Sequence, residues 1–425
     1  MNKFYLKDVA KIDISSVDKK SKENEQPIRL CNFIDVYNNW AISKKMYDKF
    51  MRATANQNEI NRYKLKKGMI AITKDSETRD DIGMSTYIAD SFEDVILGYH
   101  TALIIPNSSI VDSRYLNAYL NSTLGRKHFS NSASGSGQRY TLTIESIGNL
   151  AVYLPPLNIQ KKIGNLLSKI DRKLENNIHI NNNLEELMQT LYQRWFIEFN
   201  FPNKDGKPYK SSGGKMVWNE ELKQEIPEEW KVENLYKNTL SSVIKNGIEK
   251  FDKKIYLETA DINNDCISNG NEISFNDRPS RANMQPRLNS VWFAKMKNSV
   301  KHLSLSESSN TFVNKYILST GMYGLQCDRK TFPYIHSFIN SIYFEPTKDK
   351  LAHGATQQAV NDNDIKNIKI ICPSNYIIEE YSNRTYSILE EKNLIQEENR
   401  HLTELRDFLL PMLMNGQINV DDVEI

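Results

Sequence analysis

Two glycine-containing loops combine residue types that suit contact with a nucleic acid. The first, SGSGQR, runs from Ser134 to Arg139, and the second runs from His353 to Gln357. The backbone N–H groups of such loops can approach phosphate closely, and Gln or Arg side chains can hydrogen-bond to base edges. A G-x-x-Q element occurs in both loops, which places this chemistry once in each half of the chain.

Basic residues elsewhere in the two halves extend this candidate surface. Lys74 and Arg79 lie in the segment ITKDSETR, directly after a predicted strand, and four further cations lie in the second half. Phosphate contacts position a protein on DNA and base contacts specify the sequence, so both kinds of residue are needed. The candidate DNA-binding residues are Lys74, Arg79, Ser134, Gly135, Ser136, Gly137, Gln138, Arg139, Arg278, Arg281, Lys295, Lys297, His353, Gly354, Thr356 and Gln357.

The motifs of common catalytic and metal sites are missing from the sequence. A P-loop would need G-x-x-x-x-G-K-[ST], but Gly213-Gly-Lys215 continues into Met216. The seven histidines form no HExxH pair, and Pro155-Pro156 stands between leucines rather than in the Asn/Asp-Pro-Pro-aromatic loop of DNA methyltransferases. The four cysteines form no CxxC pair, which argues against a zinc site or a disulfide framework. We therefore expect a non-catalytic chain without a metal or cofactor of its own.

Composition predicts a globular protein, and the distribution of charge distinguishes its segments. Hydrophobic residues make up 39% of the 425 residues and charged residues 25%, and no apolar run is long enough to cross a bilayer. Net charge is +4 over residues 1–157, +1 over 158–200, +4 over 201–374 and −7 over 375–425. A polyanionic partner therefore suits the two larger basic segments. The N-terminus has no apolar signal-peptide core, which favours a cytoplasmic protein.

The sequence repeats itself with an offset of 218 residues. Pro155 corresponds to Pro373, and the pattern LxELxxxL occurs at Leu184–Leu191 and again at Leu402–Leu409. Two unrelated amphipathic helices would not also share the preceding proline and the G-x-x-Q element. The repeat predicts two copies of one ancestral unit, each a mixed block followed by a long helix.

The repeated segments carry apolar residues every seven positions, which is typical of helices that pack against a partner helix. The seam of the first helix contains Ile163, Ile170, Leu184 and Leu191, and an alternate seam contains Ile159, Leu166, Ile180 and Leu187. The seam of the second contains Tyr381, Ile388, Ile395, Leu402 and Leu409. We expect antiparallel packing of the two helices, with Asn177 as a polar register-setting residue. The alternative is two separate core helices of a bundle.

These patterns predict an α+β protein with two mixed α/β domains in pseudo-twofold arrangement, separated by two long antiparallel coiled-coil helices. A stretch rich in Gly, Pro, Ser and Lys follows the first helix and is typical of a linker. The predicted segments are a first domain at 1–157, a spacer helix at 158–200, a linker at 201–230, a second domain at 231–374, and a second spacer helix with a C-terminal tail at 375–425.

This organisation resembles the specificity subunit of type I restriction-modification systems. The residues that carry the resemblance are LPPLNIQKKIGNLLSKID at 154–171, LEELMQTLYQRWFIEFNFP at 184–202, GKPYKSSGGKMV at 206–217, EIPEEW at 225–230 and LRDFLLPMLMNGQINV at 405–420. They lie in both helical regions and the predicted linker, and these regions together make up nearly a third of the chain.

The resemblance implies that each mixed block is a target-recognition domain, and that together they read a bipartite, asymmetric site in double-stranded DNA. Two methyltransferase subunits carrying S-adenosylmethionine would dock mainly on the helices. Restriction subunits would add ATP- and Mg-dependent translocation and cleavage. The specificity chain itself would bind no cofactor and no membrane. Two alternatives stay open: a coiled-coil assembly scaffold without DNA recognition, and the DNA-reading subunit of a methylation-only complex.

Overall fold

The computed structural model describes residues 1–135, 139–263, 266–267, 270–355 and 357–422, without the side chains of Cys266 and Asp422. The chain divides into two units. The first unit comprises Met1–Glu175 and Leu402–Ile425, and the second comprises Asn176–His401. Within the described ranges, no helix is long and apolar enough to cross a membrane.

The first unit is built around the apolar strand Thr101–Pro106. This strand pairs antiparallel with Ala10–Ile14 on one side and with Ile70–Thr73 on the other, and its first four residues are buried. The strands of this unit are Asn2–Tyr5, Ala10–Ile14, Gln26–Cys31, Ala41–Ile42, Met51–Ala55, Ile70–Thr73, Asp75–Ser76, Ser85–Ile88, Val95–Leu97, Thr101–Pro106, Ser134–Gly135, Tyr140–Thr141 and Ala151–Leu154. The shorter helices are Leu6–Val9, Phe33–Asn38, Lys44–Lys49, Gln57–Tyr63, Ser113–Asn121, Thr123–Ser132, Ile144–Gly148 and Val420–Asp422.

The second unit is built in the same way around the strand Met322–Gln326. This strand pairs antiparallel with Ser242–Ile244 and with Ser290–Ala294, whose five residues are all buried. The strands of this unit are Met216–Asn219, Gln224–Pro227, Lys231–Asn234, Ser242–Ile244, Lys254–Leu257, Ile262–Asn263, Cys266–Ile267, Asn271–Ile273, Ala282–Met284, Ser290–Ala294, His302–Leu305, Tyr316–Ser319, Met322–Gln326 and Lys369–Cys372. The shorter helices are Lys210–Ser212, Thr259–Asp261, Asn310–Lys315, Phe332–Ile339, Phe344–Leu351 and Asp362–Ile365.

The strand pairings of the two units correspond, although their sequences have diverged. In each unit the strand at the start of the predicted domain (1–157 or 231–374) pairs antiparallel with the strand that precedes the long helix, and another pair is parallel. The corresponding pairs are Asn2–Tyr5 with Ala151–Leu154 and Lys231–Asn234 with Lys369–Cys372, then Gln26–Cys31 with Val95–Leu97 and Lys254–Leu257 with Tyr316–Ser319. The repeat predicted from the helices and loops therefore extends through the sheets.

The two long helices are Leu157–Tyr192 and Asn375–Met414, and the first continues into a π-helical turn at Gln193–Ile197. In the first unit the carboxylate of Asp171 lies 3.9 Å from Arg406. In the second unit the amide of Asn177 donates to Glu398 at 2.7 Å. Residue numbers rise along one helix as they fall along the other, so the packing is antiparallel. The predicted fold class, an α+β protein with two α/β domains and two long helices packed together, is confirmed. The domain boundaries and the pseudo-twofold arrangement stay predictions.

The surface between the helices in the second unit is less apolar than the heptads predict. Asn177 is buried and donates from Nδ2 to both Glu398 and Asn399. Ile180 and Leu187, expected in the alternate seam, are 44% and 54% exposed, so that part of the seam prediction is wrong. Met188, the neighbour of Leu187, is fully buried in the core of the unit. Successive side chains of an α-helix point about 100° apart. Burial of Met188 in the core therefore leaves Leu187 facing solvent.

The segment predicted as a linker is packed onto the core of the second unit. Phe201 and Trp230 are buried, and their rings stack with centroids 4.9 Å apart. Tyr209 stacks on the same Phe201 ring at 4.6 Å. Between them, Met216–Asn219 and Gln224–Pro227 form an antiparallel hairpin. The glycines and prolines of this segment therefore lie within folded structure, where Pro202 pairs with Pro208 and Pro227 belongs to the hairpin.

A buried carboxylate lies between the long helices in the first unit. The side chain of Asp171 is 11% exposed, and neither of its oxygens has a hydrogen-bond partner among the described residues. Burial raises the pKa of Asp171 to about 7, although the positive charge of Arg406 acts in the opposite direction. The folded protein thus keeps a proton that the unfolded chain releases above its ordinary pKa of 3.8. Stability therefore falls as the pH rises from about 4 to about 7.

We expect Asp171→Asn to stabilise the protein at pH 8 by on the order of 4 kcal/mol, because Asn has no proton to lose. At pH 4.5 the gain should be small, because Asp171 is protonated in the folded protein and partly protonated in the unfolded chain. Urea midpoints at the two pH values measure the difference. Glu186→Gln, which changes an exposed carboxylate of the same helix, is the control. Equal gains at both pH values would contradict the assignment.

Candidate nucleic-acid interface

The two groups of candidate residues in the first unit lie on one small sheet. Ser134–Gly135 pairs with Tyr140–Thr141, and this strand pairs in turn with Asp75–Ser76. Ser134–Gly135 and Tyr140–Thr141 therefore form the two arms of a hairpin, and we call residues 134–135 and 139–141 the first hairpin. The first hairpin lies directly against the segment ITKDSETR. The sequence did not predict this contact between the two groups of candidate residues. Ser136, Gly137 and Gln138 lie outside the described residues.

A buried carboxylate, Asp75, joins these two segments through side-chain contacts. It accepts from Lys74 at 3.0 Å, from Arg139 at 3.0 Å, and from the hydroxyl of Thr141 at 2.5 Å. The Nδ1 atom of His100 lies 2.6 Å from the same carboxylate. Burial would raise the pKa of Asp75, but the hydrogen bonds from Thr141, His100 and Lys74 outweigh it and hold that pKa well below its usual range. We call these five residues the Asp75 cluster.

The two candidate arginines of the first unit, Arg79 and Arg139, lie at the edge of this sheet. Arg79 is exposed, and its guanidinium lies 5.1 Å from the centroid of the Tyr140 ring. Arg139 is also exposed apart from its contacts in the Asp75 cluster. Both guanidinium groups are therefore supported by the first hairpin while they remain accessible to solvent. Cation–π support of this kind restricts the arginine without neutralising it.

The second unit builds the same arrangement from different side chains. His353 and Ala359 pair with each other, and Ala359 also pairs with Met296. We call residues 353–359 the second hairpin. The N–H of Lys297 donates to the carbonyl of Gln358 at 2.9 Å, which fixes the segment after strand Ser290–Ala294 against this hairpin. Lys297, His353, Gly354 and Gln357 are exposed there, whereas Thr356 lies outside the described residues.

The main-chain hydrogen bonds of the two arrangements correspond one to one. The N–H of Lys74 donates to the carbonyl of His100 at 3.0 Å, and the N–H of Lys295 donates to Gly321 at 2.9 Å. The carbonyls of the same two lysines accept from Leu142 at 2.7 Å and from Val360 at 3.0 Å. Lys74 and Lys295 are therefore equivalent residues at the exits of equivalent strands.

Lys295 differs from Lys74 in its surroundings. It is half-buried, and its Nζ lies 5.7 Å from the centroid of the Tyr323 ring. Burial lowers the pKa of Lys295, while the negative charge of Asp362 acts in the opposite direction. No carboxylate equivalent to Asp75 is present, because Met296 occupies that position.

The two glycines of the G-x-x-Q element have the same backbone conformation. Gly135 has φ of +136° and Gly354 has φ of +142°, values that residues with a side chain rarely adopt. A Cβ atom on Gly135 would lie 2.1 Å from the carbonyl oxygen of Arg139, and one on Gly354 would lie 2.4 Å from that of Gln357. Both hairpins therefore require glycine at this position for the same steric reason.

Two candidates of the second unit lie apart from the second hairpin. The guanidinium of Arg278 packs over the Phe275 ring at 4.0 Å and donates to the carbonyl of Phe275. The main chain of Arg281 accepts from Thr320, and its guanidinium lies beside Gly321. Arg281 thus reaches the strand exit, whereas Arg278 is tied to its own turn.

The sequence did not identify three polar members of the Asp75 cluster, namely the buried Asp75 and the half-buried His100 and Thr141. Asp75 directly follows the candidate Lys74, and an acid among basic candidates is the one feature of the sequence that could have identified it. His100 and Thr141 are far from Asp75 in the sequence, so nothing in the sequence indicated that they contact it.

We expect Asp75→Asn to loosen the first hairpin and to destabilise the first unit by about 1–3 kcal/mol, because its charged hydrogen bonds are lost. Amide hydrogen exchange at Leu142 should accelerate, and exchange at Val360 should not change. Glu77→Gln alters an exposed carboxylate two residues away and serves as the control. Wild-type protection at Leu142 in the Asp75 variant would show that the cluster does not hold the hairpin.

Comparison with known proteins relates this geometry to one family. Residues 1–186 match the family model described as the type I restriction modification DNA specificity domain. The HindI specificity subunit of Haemophilus influenzae is 24% identical over 404 aligned residues, covering 83% of this chain and 87% of that protein. The MjaIX specificity subunit of Methanocaldococcus jannaschii is 25% identical over 348 residues, covering 75% and 72%.

A solved structure shows the same fold. The type I restriction-modification S subunit from M. genitalium superposes with a TM-score of 0.56 at 13% identity, covering 97% of this chain and 95% of that one. The matched domain, the two similar specificity subunits and the shared fold agree with the family resemblance found in the sequence. Residues 1–186 thus match a type I restriction modification DNA specificity domain, and most of the chain is similar to specificity subunits of type I restriction-modification systems.

Proposed function

We propose that this chain reads a bipartite, asymmetric DNA sequence, one half with each unit, and positions methyltransferase and restriction subunits on it. The single observation that carries the proposal is the correspondence of the two hairpins. In each unit, the residue after the hairpin hydrogen-bonds to the main chain of the lysine that follows an equivalent strand. Each hairpin also requires a glycine with a positive φ. A scaffold without DNA recognition would have no need to preserve this loop geometry twice.

The side chains exposed at the two hairpins support different base preferences. The first surface presents the guanidinium groups of Arg79 and Arg139, and arginine pairs well with guanine in the major groove. The second surface presents Lys297, His353 and Gln357, and glutamine pairs well with adenine. Two readers with different exposed groups imply a site whose halves differ in sequence.

The long helices carry exposed apolar side chains that support a role in assembly. Such residues lie on both helices and are 42–60% exposed: Ile178, Ile180, Leu187, Tyr376, Leu394 and Phe408. Exposed apolar surface of this kind is typical of protein interfaces. We infer that methyltransferase subunits cover these positions, with restriction subunits joining the same assembly.

We expect the two hairpin glycines to affect separate halves of the site. Gly135→Ala should distort the first hairpin and reduce methylation that depends on one half-site, because the added Cβ collides with the main chain of Arg139. Gly354→Ala should do the same for the other half-site. The measurement is methylation-site sequencing of cells that express each variant with its methyltransferase subunits.

The control for these variants is Gly206→Ala. Gly206 also has a positive φ, of +74°, but a Cβ there would meet no atom within 4 Å. It should leave both half-sites unchanged. If Gly135→Ala and Gly354→Ala altered the same half-site, the model of one reader per unit would be refuted.

We expect a matched insertion in the two helices to lengthen the gap between the half-sites. Four residues added after Glu175 and four after His401, at opposite positions of the antiparallel pair, add about 6 Å and about 40° of helical rotation. One to two base pairs of B-DNA add a similar rise and rotation, at about 34–36 Å and 10–10.5 base pairs per turn. Methylation-site sequencing should show a gap longer by one or two base pairs with the same bases read.

The same four residues inserted after Gly206 provide the control, because that turn lies within the folded segment 201–230 rather than in a long helix. This variant should keep the original gap. An unchanged gap with full activity in the double-helix insertion would show that the helices do not set the spacing.

A further inference from the structure

The loop that carries Lys295 and Lys297 is held from beneath by a buried lysine. This loop connects strands Ser290–Ala294 and His302–Leu305, and the N–H of Ala294 closes it by donating to Lys301. Lys348 has no solvent exposure. We call residues 295–300 the second reading loop.

Lys348 contacts both ends of the second reading loop through main-chain carbonyls. Its Nζ donates to Ala294 at 3.2 Å and to Ser299 at 3.3 Å, and its third contact is Glu345 at 2.6 Å. Glu345 is itself held by His302 at 2.8 Å. An ammonium group has three donors, so this lysine is fully satisfied where it lies.

The neighbouring acid on the same helix fixes the tip of the loop. Asp349 accepts from the main-chain N–H of Asn298 at 3.2 Å. Asn298 has a φ of +56°, an unusual conformation for a residue with a side chain. Through Lys348 and Asp349, helix Phe344–Leu351 thus makes three hydrogen bonds to main-chain atoms of the second reading loop and of Ala294 at its start.

A cation plays the corresponding part in the first unit. There the loop 74–84 connects Ile70–Thr73 with Ser85–Ile88, and it contains Arg79. Arg126 lies on helix Thr123–Ser132, the counterpart of Phe344–Leu351, and donates to the carbonyls of Asp80 and Ile82. The two cations occupy different positions along their helices, yet each binds carbonyls of the loop between the same two strands.

We propose that Lys348 and Arg126 are positioning residues for base discrimination, each for the half-site read by its own unit. This inference rests on the proposed function and deepens it, because neither residue needs to contact DNA. Each cation fixes the main chain of a loop whose side chains reach the bases. Base-edge hydrogen bonds depend on placement within a few tenths of an ångström, so release of the loop weakens discrimination before it abolishes binding.

The test uses the chain assembled with its methyltransferase subunits and measures initial methylation rates. The DNA substrates carry the cognate site or a single base change in one half. Lys348→Met should reduce discrimination against changes in the second unit's half-site by about tenfold, the size of one base-edge contact. Discrimination in the other half should stay at the wild-type level. Arg126→Met should give the reciprocal result.

Matched controls separate positioning from general stability. Lys350→Met and Lys127→Met change exposed lysines on the same two helices and should leave discrimination unchanged. A residue with a merely structural role would lower the rates on all substrates together, and that result for Lys348→Met and Arg126→Met would overturn the inference. If Lys348→Met fails to fold, Asp349→Ala releases the same loop and should weaken the same half-site. Wild-type discrimination in that variant would overturn the inference.

Failure of this inference is distinguishable from failure of the proposed function. If Gly354→Ala affects one half-site while Lys348→Met affects neither, the units read DNA and Lys348 does not position the loop. If Gly354→Ala does not act on one half-site selectively, the two-reader model fails, and the inference about Lys348 and Arg126 fails with it.

Discussion

Both candidate surfaces depend on main-chain hydrogen bonds between the exit of a buried strand and a glycine hairpin. Lys74 and Lys295 each donate and accept through the backbone, so the loop is held whichever side chain the residue carries. A surface that reads different sequences needs side chains that can change without loss of the frame. Backbone pairing meets this requirement because its hydrogen bonds do not depend on residue type. The glycine is the exception, since its conformation excludes a Cβ atom.

The long helices meet a different requirement, which is a fixed register. A purely apolar heptad seam allows the helices to shift by one heptad at modest cost, whereas buried polar pairs tie particular residues together. In the second unit, Glu185 contacts both Lys392 and the Nε2 atom of His336. Burial would raise the pKa of Glu185, but the charge and hydrogen bonds of these two partners hold it well below its usual range. Displacement of one long helix along the other would separate this buried carboxylate from Lys392, which is unfavourable.

The sequence predicted the features that follow from local patterns. Heptads revealed both long helices, and the shared G-x-x-Q element identified two hairpins whose glycines prove to be equivalent. The sheet correspondence was not predictable, because the strands need only be apolar and their sequences have diverged.

The Asp75 cluster was missed because His100 and Thr141 approach Asp75 through tertiary folding. Exposure of Leu187 was missed because heptad spacing does not show which face a second domain covers. Residues 201–230 were predicted as a linker from turn residues, although buried Phe201 and Trp230 hold the segment in place.

The two units each hold an equivalent loop with a cation from a neighbouring helix, Arg126 or Lys348, but they differ in the charge of the loop itself. In the first, the loop itself contains the anion, and Asp75 engages Lys74 and Arg139, cations that would otherwise add to the positive field. In the second, Met296 replaces that anion, and the loop contains no carboxylate. In a DNA complex of the kind proposed, the first surface would therefore depend more on arginine geometry than on net charge. The second surface would contribute more of the salt-dependent attraction to phosphate, because Lys297 is not paired with a carboxylate of its own loop. In the proposed complex, one fold would thus supply two DNA-reading surfaces that differ in how they bind.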